Sequence, residues 1–187
     1  MLTDLISLAD LSAEEIYGIL DLADDLKRKQ KHGEPYQPLR GQTVAMIFEK
    51  PSLRTRITFA TGVYQLGGNA LLIQEKLGQR EAIRDVARNL DRWVNGIVAR
   101  TYKHEAVLEL AEYASVPVIN ALTDKLHPCQ ILADAQTLRE HKGELAGLRV
   151  AFVGDGNNVF ASWVNLAARV PLELTLVCPP GYSPDND

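Results

Sequence analysis

The sequence predicts an α/β fold, in which helices flank a parallel sheet and the first strand, helix and strand of a second α/β domain follow. Short apolar segments rich in β-branched residues have the character of buried strands near residues 43–48, 70–74, 96–100, 117–121, 149–153 and 174–178. Segments of helical periodicity separate them near 52–66, 80–93, 104–114, 128–141 and 158–168. This alternation indicates a parallel sheet, because parallel neighbours need a crossover connection.

Composition limits the classes of protein to which the chain can belong. A length of 187 residues holds one typical domain and part of a second. The formal net charge of −4 provides no basic surface, so we expect no nucleic-acid partner. No segment is typical of a membrane span, and Met1–Leu5 lacks the features of a signal peptide, so we expect a cytoplasmic protein with no membrane partner.

Cys129 and Cys178 lack CxxC spacing, which favours two reduced thiols over a zinc site or a disulfide.

The first helix is predicted from a capping box, Ser12–Glu15, in which a serine and a glutamate three residues apart satisfy each other's backbone N–H groups. The basic run Lys27–His32 at the other end favours the helix dipole and is interpreted as a solvated helix terminus. The apolar stripe predicted to face the core is Ile16, Ile19, Leu20, Ala23 and Leu26.

The segment that follows the strand near 43–48 has the features of a phosphate-binding site. Ser52 is placed to cap a helix that ends at Gly67–Gly68. The N-terminus of that helix carries unpaired backbone N–H groups, to which the Ser52 and Thr55 hydroxyls and the Arg54 guanidinium add further donors. An oxyanion would satisfy this set.

The alternative for this segment is an ordinary capped helix that carries Arg54 and Arg56 as surface arginines. Its apolar residues at helical spacing are Ile57, Ala60, Val63 and Tyr64.

Other polar residues follow later strands, where ligands bind in open parallel sheets. Arg100 closes the strand near 96–100, and a surface salt bridge is the alternative to a ligand there. His127 and Gln130 lie on either side of a predicted helix start, with Pro128 favoured in its first turn, although a lone histidine is usually structural.

The last third of the chain contains a glycine-rich turn and a domain boundary. Gly154–Asn158 suggests a dinucleotide-binding fingerprint, but the G-x-G-x-x-G pattern is incomplete. The polar, glycine-punctuated segment Glu140–Gly147 predicts two domains, residues 1–143 and 144–187. The final segment, Pro179–Asp187, has the composition of a loop between elements.

The segments Phe48–Arg56, His127–Gln130 and Gly154–Asn158 occur in that order, and each follows a strand-like segment. With these motifs the chain resembles the aspartate/ornithine carbamoyltransferase family over essentially its whole length. Cys129 within the second motif and the Asn157–Asn158 pair fit the ornithine branch better than the aspartate branch.

The resemblance implies an enzyme of arginine metabolism that transfers the carbamoyl group of carbamoyl phosphate to the side-chain amine of L-ornithine, with citrulline and phosphate as products. It implies catalytic roles for Arg100, His127 and Thr55, ornithine contacts from Asn158 and Asn157, and a bracing role for Arg56. No cofactor or metal is expected, because carbamoyl phosphate is already activated and the enzyme has to position it and stabilise charge. Carbamoyl-phosphate contacts are implied for Ser52, Leu53, Arg54, Thr55, Arg100, His127 and Gln130.

Two features depart from the family pattern. Leu53 stands where a threonine is common, so one hydroxyl donor is lost while the backbone N–H survives. The loop within Leu72–Glu81 is shorter than the family pattern, and Lys76 stands where the ornithine branch has glutamine. This loop reaches a neighbouring subunit in the family, which implies a homotrimer or a multiple of trimers and makes Lys76, Gln79 and Gln74 candidates for the intersubunit contact.

Family chains are longer, and their later ornithine-binding segments do not occur here, so we expect an incomplete chain with weak activity at most. The alternatives left open are a carbamoyltransferase for another amine (putrescine, acetylornithine or aspartate) and a noncatalytic anion-binding module. A nucleotide-dependent reductase is a third alternative that depends on the turn at Gly154 alone.

Overall fold

The computed structural model describes residues 4–184, which form two compact units. The first unit contains the residues up to Ile6 together with Lys29–Asp124. The second contains Ser7–Arg28 and the residues from Lys125 onward. These units part after Asp124, whereas the domain boundary placed after residue 143 from the sequence stays a prediction.

The elements follow the predicted alternation and confirm the parallel α/β class. The helices are α1 (Ala13–His32), α2 (Leu53–Gln65), α3 (Ile83–Leu90), α4 (His104–Tyr113), α5 (Pro128–Lys142) and α6 (Asn158–Ala167). The strands are β1 (Thr43–Phe48), β2 (Asn69–Ile73), β3 (Gly96–Arg100), β4 (Val118–Leu122), β5 (Arg149–Val153) and β6 (Glu173–Val177). The helix predicted near 80–93 is shorter than expected, because residues 91–93 form a turn and those before Ile83 are not helical.

The sheet of the first unit has the strand order β2-β1-β3-β4, and every pairing in it is parallel. Successive residues of β1 pack on opposite faces, as the strand period requires. Ala45 and Ile47 pack in one cluster with Leu90 of α3 and Leu110 of α4, whereas Met46 packs in a second cluster on the other face. Both faces of β1 are therefore covered, which explains its continuous apolar run.

Helix α2 lies beside the edge strand β2 and buries only part of its apolar surface. Val63 is buried, but Ile57 and Tyr64 are 54% and 78% exposed. Leu71 and Leu72 of β2 are also exposed. Ile57 and Tyr64, two of the apolar residues at helical spacing in α2, therefore lie outside the core, because a helix at a sheet edge contacts the sheet along a narrow line.

The predicted stop of α2 is confirmed at Gly67, whose φ of 86° is in the left-handed region. Its N–H donates to the Tyr64 carbonyl at 2.9 Å, and the N–H of Gly68 donates to the Val63 carbonyl at 2.9 Å. A Cβ at Gly67 would lie 2.8 Å from Cβ of Gln37, so glycine is required both by the backbone and by the space.

The second unit begins with a short 3-10 helix, Leu8–Asp10, and the capping box of α1. The N–H of Ser12 donates to Glu15 Oε2 at 2.9 Å, and the N–H of Glu15 donates to Ser12 Oγ at 3.2 Å. The bond from the Ser12 N–H, together with one of 3.1 Å from the Ser12 hydroxyl to the same Oε2, stabilises the charged carboxylate and lowers the pKa of Glu15. The predicted capping box is therefore confirmed.

Ion pairs attach α5 to α1 within the second unit. Nη1 of Arg139 lies 2.6 Å from Asp21 Oδ1, and the same guanidinium pairs with Asp24. Lys27 pairs with Glu140 one residue further along α5. The Arg139 side chain is only 14% exposed, so these contacts are less screened by solvent than ordinary surface pairs. These ion pairs between α1 and α5 help to explain why both helices contribute to the second unit.

Candidate active site

The carboxyl ends of β1 and β3 form a topological switch point in the first unit. From β1 the chain crosses to β2 on one side and then returns to β3 on the other side. Phe48 at the end of β1 is the register partner of Arg100 at the end of β3, and the Glu49 N–H donates to the Arg100 carbonyl at 3.0 Å. Open α/β sheets bind ligands in the crevice at such a point.

Helix α2 starts beside this crevice, and the side chain of its N-cap residue makes no capping hydrogen bond. Ser52 occupies the N-cap position with extended backbone (φ −157°, ψ 110°), but its hydroxyl makes no capping hydrogen bond. The N-terminal N–H groups of a helix have no intrahelical partner and carry partial positive charge. A cavity of about 310 Å³ adjoins this terminus and is lined by Phe48, Glu49, Lys50, Pro51, Ser52, Leu53, Arg56 and Gln74.

Thr55 and Arg100 meet at the crevice, as the predicted site requires. Arg100 Nη1 donates to Thr55 Oγ1 at 3.2 Å. Burial lowers the pKa of the Arg100 guanidinium, yet an arginine stays charged at neutral pH. Within residues 4–184 its Nε is buried without a hydrogen-bond partner. A fixed cation with unused donor capacity therefore lies at the end of β3.

The two arginines of α2 are placed differently from what the sequence suggested. Arg56, interpreted as a brace, lines the cavity, whereas Arg54, interpreted as a phosphate ligand, is exposed and is not among the lining residues. Leu53 is 66% exposed in the first helical position, where only its backbone N–H is a donor. The ligand roles of Arg54 and Leu53 stay predictions.

Glu49 connects the segments around the cavity, a role that sequence reasoning missed. Its Oε1 accepts from the Leu77 N–H at 2.7 Å, and its Oε2 accepts from the Tyr102 N–H at 2.9 Å. It therefore fixes the loop of residues 74–82 and the segment that follows Arg100. Its position at the end of a strand, next to the predicted phosphate site, was the available signal.

The loop of residues 74–82 has no helix or strand, and Lys76 and Gln79 are exposed in it. Leu77 attaches this loop to the rest of the first unit, because its N–H donates to Glu49 and its side chain packs against the core. The intersubunit role of Lys76 and Gln79 stays a prediction.

In the second unit, His127 and Pro128 begin α5 as predicted. His127 is the N-cap residue and Pro128 occupies the first helical position. The Gln130 Nε2 donates to Asp134 Oδ1 at 2.9 Å, which leaves the Gln130 carbonyl oxygen as the acceptor of that amide. Burial raises the pKa of Asp134, partly offset by the hydrogen bond from Gln130.

Cys129 lies between these residues but is not a nucleophile at neutral pH. Burial raises the pKa of its thiol to about 12, and the thiolate is the reactive form. Within residues 4–184, Cys129 and Cys178 form no disulfide, and their reduced state stays a prediction.

The Asn157–Asn158 pair begins α6, and the two residues have different local roles. Asn157 Oδ1 accepts from the N–H groups of Val159 at 2.9 Å and Phe160 at 3.2 Å, while its Nδ2 donates to Asp155 Oδ1 at 2.8 Å. The Asn157 side chain is thus occupied in capping its own helix. Asn158 is the first helical residue, and ornithine contacts from the pair stay predictions.

The turn before α6 offers no support for a dinucleotide site. The Gly156 N–H donates to the Tyr182 carbonyl at 2.8 Å, and a Cβ at Gly156 would lie 2.2 Å from the nitrogen of Pro184. The chain's own segment after β6 therefore occupies the space that a glycine would open for a pyrophosphate.

Ser162 is a second residue that sequence reasoning missed. It is 1% exposed, its Oγ accepts from the His127 N–H at 2.8 Å, and it donates to the Asn158 carbonyl at 2.8 Å. The available signal was a serine among the apolar residues of α6, since a buried hydroxyl needs partners.

Residues 4–184 contain no cluster of three or more histidine, cysteine, aspartate or glutamate side chains that could hold a metal ion. Within the same residues, no helix is long and apolar enough to cross a membrane.

Comparison with known proteins gives two family matches along the chain. Residues 3–140 match the aspartate/ornithine carbamoyltransferase carbamoyl-P binding domain, and residues 146–187 match the Asp/Orn binding domain of the same family. Ornithine carbamoyltransferases of Methanocorpusculum labreanum and Carboxydothermus hydrogenoformans are 52% and 54% identical, over 99% and 98% of this chain. The alignments cover 62% and 60% of those relatives, so the chain spans about three fifths of their length.

A solved structure with the same fold is the ornithine carbamoyltransferase from Pyrococcus furiosus. It is 47% identical with a TM-score of 0.95, and the match covers 97% of this chain and 59% of that one.

Proposed function

Because this chain belongs to the aspartate/ornithine carbamoyltransferase family, we propose that the protein transfers the carbamoyl group of carbamoyl phosphate to the side-chain amine of L-ornithine. Citrulline and phosphate are the products. The observation that carries the proposal is the pairing of Arg100 with Thr55 beside the N-terminus of α2, at the switch point of a parallel sheet. The names of the relatives support ornithine as the acceptor.

The phosphate of the substrate binds at the start of α2 in this proposal. Ser52 supplies an N-cap hydroxyl without a capping bond, Leu53 supplies a backbone N–H, and Arg54 supplies a charged donor in the first turn. Helix N-termini favour anions because their N–H groups and partial positive charge act together. Arg56 lines the adjoining cavity and adds positive potential there.

The reaction itself needs donors at the carbonyl oxygen. The neutral ornithine amine attacks the carbonyl carbon and a C–N bond forms. The carbonyl oxygen then carries negative charge until the C–O bond to phosphate breaks. Phosphate leaves with the electron pair, and an oxygen of the departing phosphate takes up the proton that the attacking nitrogen loses. We assign the stabilisation of that oxygen to Arg100, Thr55 and His127, where each donor contributes about 2.7–4 kcal/mol to lowering the barrier.

The family resemblance assigns the remaining roles. Gln130 accepts from the carbamoyl amide through its carbonyl oxygen, which agrees with the commitment of its Nε2 to Asp134. Asn158, with Asn157 beside it, contacts ornithine. We propose no cofactor, because carbamoyl phosphate brings its own leaving group. A cytoplasmic location stays a prediction.

The choice of amine is tested by a product assay on the protein at the full length that its gene encodes. With carbamoyl phosphate in excess, we expect carbamoylation of L-ornithine and a kcat/KM at least about tenfold lower for putrescine, acetylornithine and aspartate, because buried polar groups reject mismatched substrates. A higher kcat/KM for one of the other three would contradict the ornithine assignment. Carbamoyl-phosphate binding without turnover of any amine would favour the noncatalytic alternative.

The phosphate site is tested by calorimetric titration of carbamoyl phosphate. Arg54→Ala should weaken binding by about 1.5–3 kcal/mol, the net value of a hydrogen bond to a charged group. Arg56→Ala is the matched control on the same helix, and a smaller loss is expected there because Arg56 contributes potential without a direct bond. If Arg54→Ala binds carbamoyl phosphate as tightly as wild type, or if Arg56→Ala loses more affinity than Arg54→Ala, the ligand role belongs to Arg56 instead.

The role of His127 is tested by the steady-state kinetics of His127→Ala. We expect kcat to fall by roughly 100-fold or more, whereas the affinity for carbamoyl phosphate changes much less, because the hydrogen bond strengthens as the carbonyl oxygen gains charge. His141→Ala, at the other end of α5, is the control and should keep wild-type kinetics. A rise in KM at wild-type kcat would show a ground-state contact instead.

A homotrimer, or a multiple of trimers, is the assembly that we propose. Its support in this chain is the set of apolar side chains that α2 and β2 leave exposed: Leu53, Ile57, Tyr64, Leu71 and Leu72. Surfaces of this kind mark interaction sites. Sedimentation equilibrium should give a trimeric mass for wild type and a smaller mass for Tyr64→Lys, since a desolvated lysine opposes association. A monomeric wild type would refute the assembly.

A further inference from the structure

One buried hydroxyl in the second unit joins the start of α5 to the first turn of α6. Ser162 Oγ accepts a hydrogen bond of 2.8 Å from the His127 N–H and donates one of 2.8 Å to the Asn158 carbonyl. Ser162 is 1% exposed, so water does not replace either partner readily. The two residues that it connects belong to separate sequence motifs.

The chemistry of the partners fixes the direction of both bonds. A backbone N–H can only donate and a carbonyl can only accept, and a hydroxyl is a small group that does both at once. His127 immediately precedes Pro128, which has no N–H of its own, so the His127 amide is the donor at this point of the helix start. Loss of the hydroxyl would remove the acceptor of this partly buried donor.

We propose that Ser162 is a positioning residue that holds His127 and Asn158 in a fixed relation through their backbones. It contacts no substrate and acts through the two residues to which roles at the carbamoyl group and at ornithine were assigned. The inference therefore rests on the proposed function. Its physical basis is that a shift of about 1 Å in a positioned group can lower a rate about 100-fold.

Thr137 provides a matched comparison inside the same unit. Its Oγ1 donates to the Ala133 carbonyl at 2.9 Å, which is the same bond to the residue four positions earlier that Ser162 makes to Asn158. The Thr137 bond begins and ends within α5, and the residue is exposed. A Thr137→Ala variant therefore loses a hydrogen bond within one helix but keeps every hydrogen bond that joins α5 to α6.

Kinetics of Ser162→Ala and Thr137→Ala, at the full length that the gene encodes, test the proposal. We expect Ser162→Ala to lower kcat about tenfold, the scale of one buried donor left unsatisfied, with the Kd of carbamoyl phosphate changed less than about threefold. Thr137→Ala should keep both values near wild type. A kcat of Ser162→Ala within twofold of wild type would overturn the proposal.

A double-mutant cycle separates positioning from general loss of stability. If Ser162 acts on kcat through His127, then Ser162→Ala should cause no further fall in kcat in a His127→Ala background. A fall of the same size in both backgrounds would overturn the link.

Amide hydrogen exchange at His127 provides a readout that does not depend on turnover. Faster exchange in Ser162→Ala, with unchanged circular dichroism, supports the link, whereas an unchanged rate overturns it. If Ser162→Ala does not fold, Ser162→Thr replaces it, because threonine keeps a hydroxyl. A kcat of Ser162→Thr within threefold of wild type supports the proposal. A tenfold lower kcat, with the exchange rate of the His127 amide unchanged, overturns it. Wild-type protein that protects the His127 amide but forms no citrulline would refute the proposed function and leave the hydrogen-bonded link standing.

Discussion

The parallel pairing of β1 with β3 is the constraint on which the candidate site depends. Their register sets Phe48 beside Arg100, so the strand that leads into α2 and the strand that carries the arginine end at the same level. Because the chain diverges to opposite sides of β1 after these strands, a crevice where open α/β sheets bind ligands is expected at their carboxyl ends. A shift by one residue would turn Arg100 to the other face of the sheet and remove it from Thr55.

Basic side chains lie near the start of α2. Lys50 and Arg56 line the cavity, and Arg100 at the end of β3 donates to Thr55 Oγ1. Glu49, a carboxylate in the lining of the same cavity, uses one oxygen for the Leu77 N–H and the other for the Tyr102 N–H. Its hydrogen bonds go to the surrounding backbone and hold together the segments on either side of the cavity.

The sequence predicted what local chemistry determines, and it missed what distant partners determine. The strands, the capping box at Ser12 and the stop at Gly67 follow from neighbouring residues and were confirmed. Ser162 and its partner His127 are 35 residues apart, so no local pattern shows that bond. The 78% exposure of Tyr64 is another feature that a local pattern does not determine, since apolar residues at helical spacing do not show which surface covers them.

The N-cap residues of α2, α5 and α6 divide the motif residues by role. Ser52 and His127 stand at N-cap positions, but neither side chain makes a capping hydrogen bond to its own helix. At a serine N-cap, such a bond would stabilise the helix by about 1 kcal/mol. Asn157 does cap its helix, with both ends of its amide in local bonds. Functional residues commonly break a local rule that structural residues obey. Asn157 therefore has a local structural role at the start of α6, whereas the ligand contacts proposed for Ser52, His127 and Asn158 stay predictions.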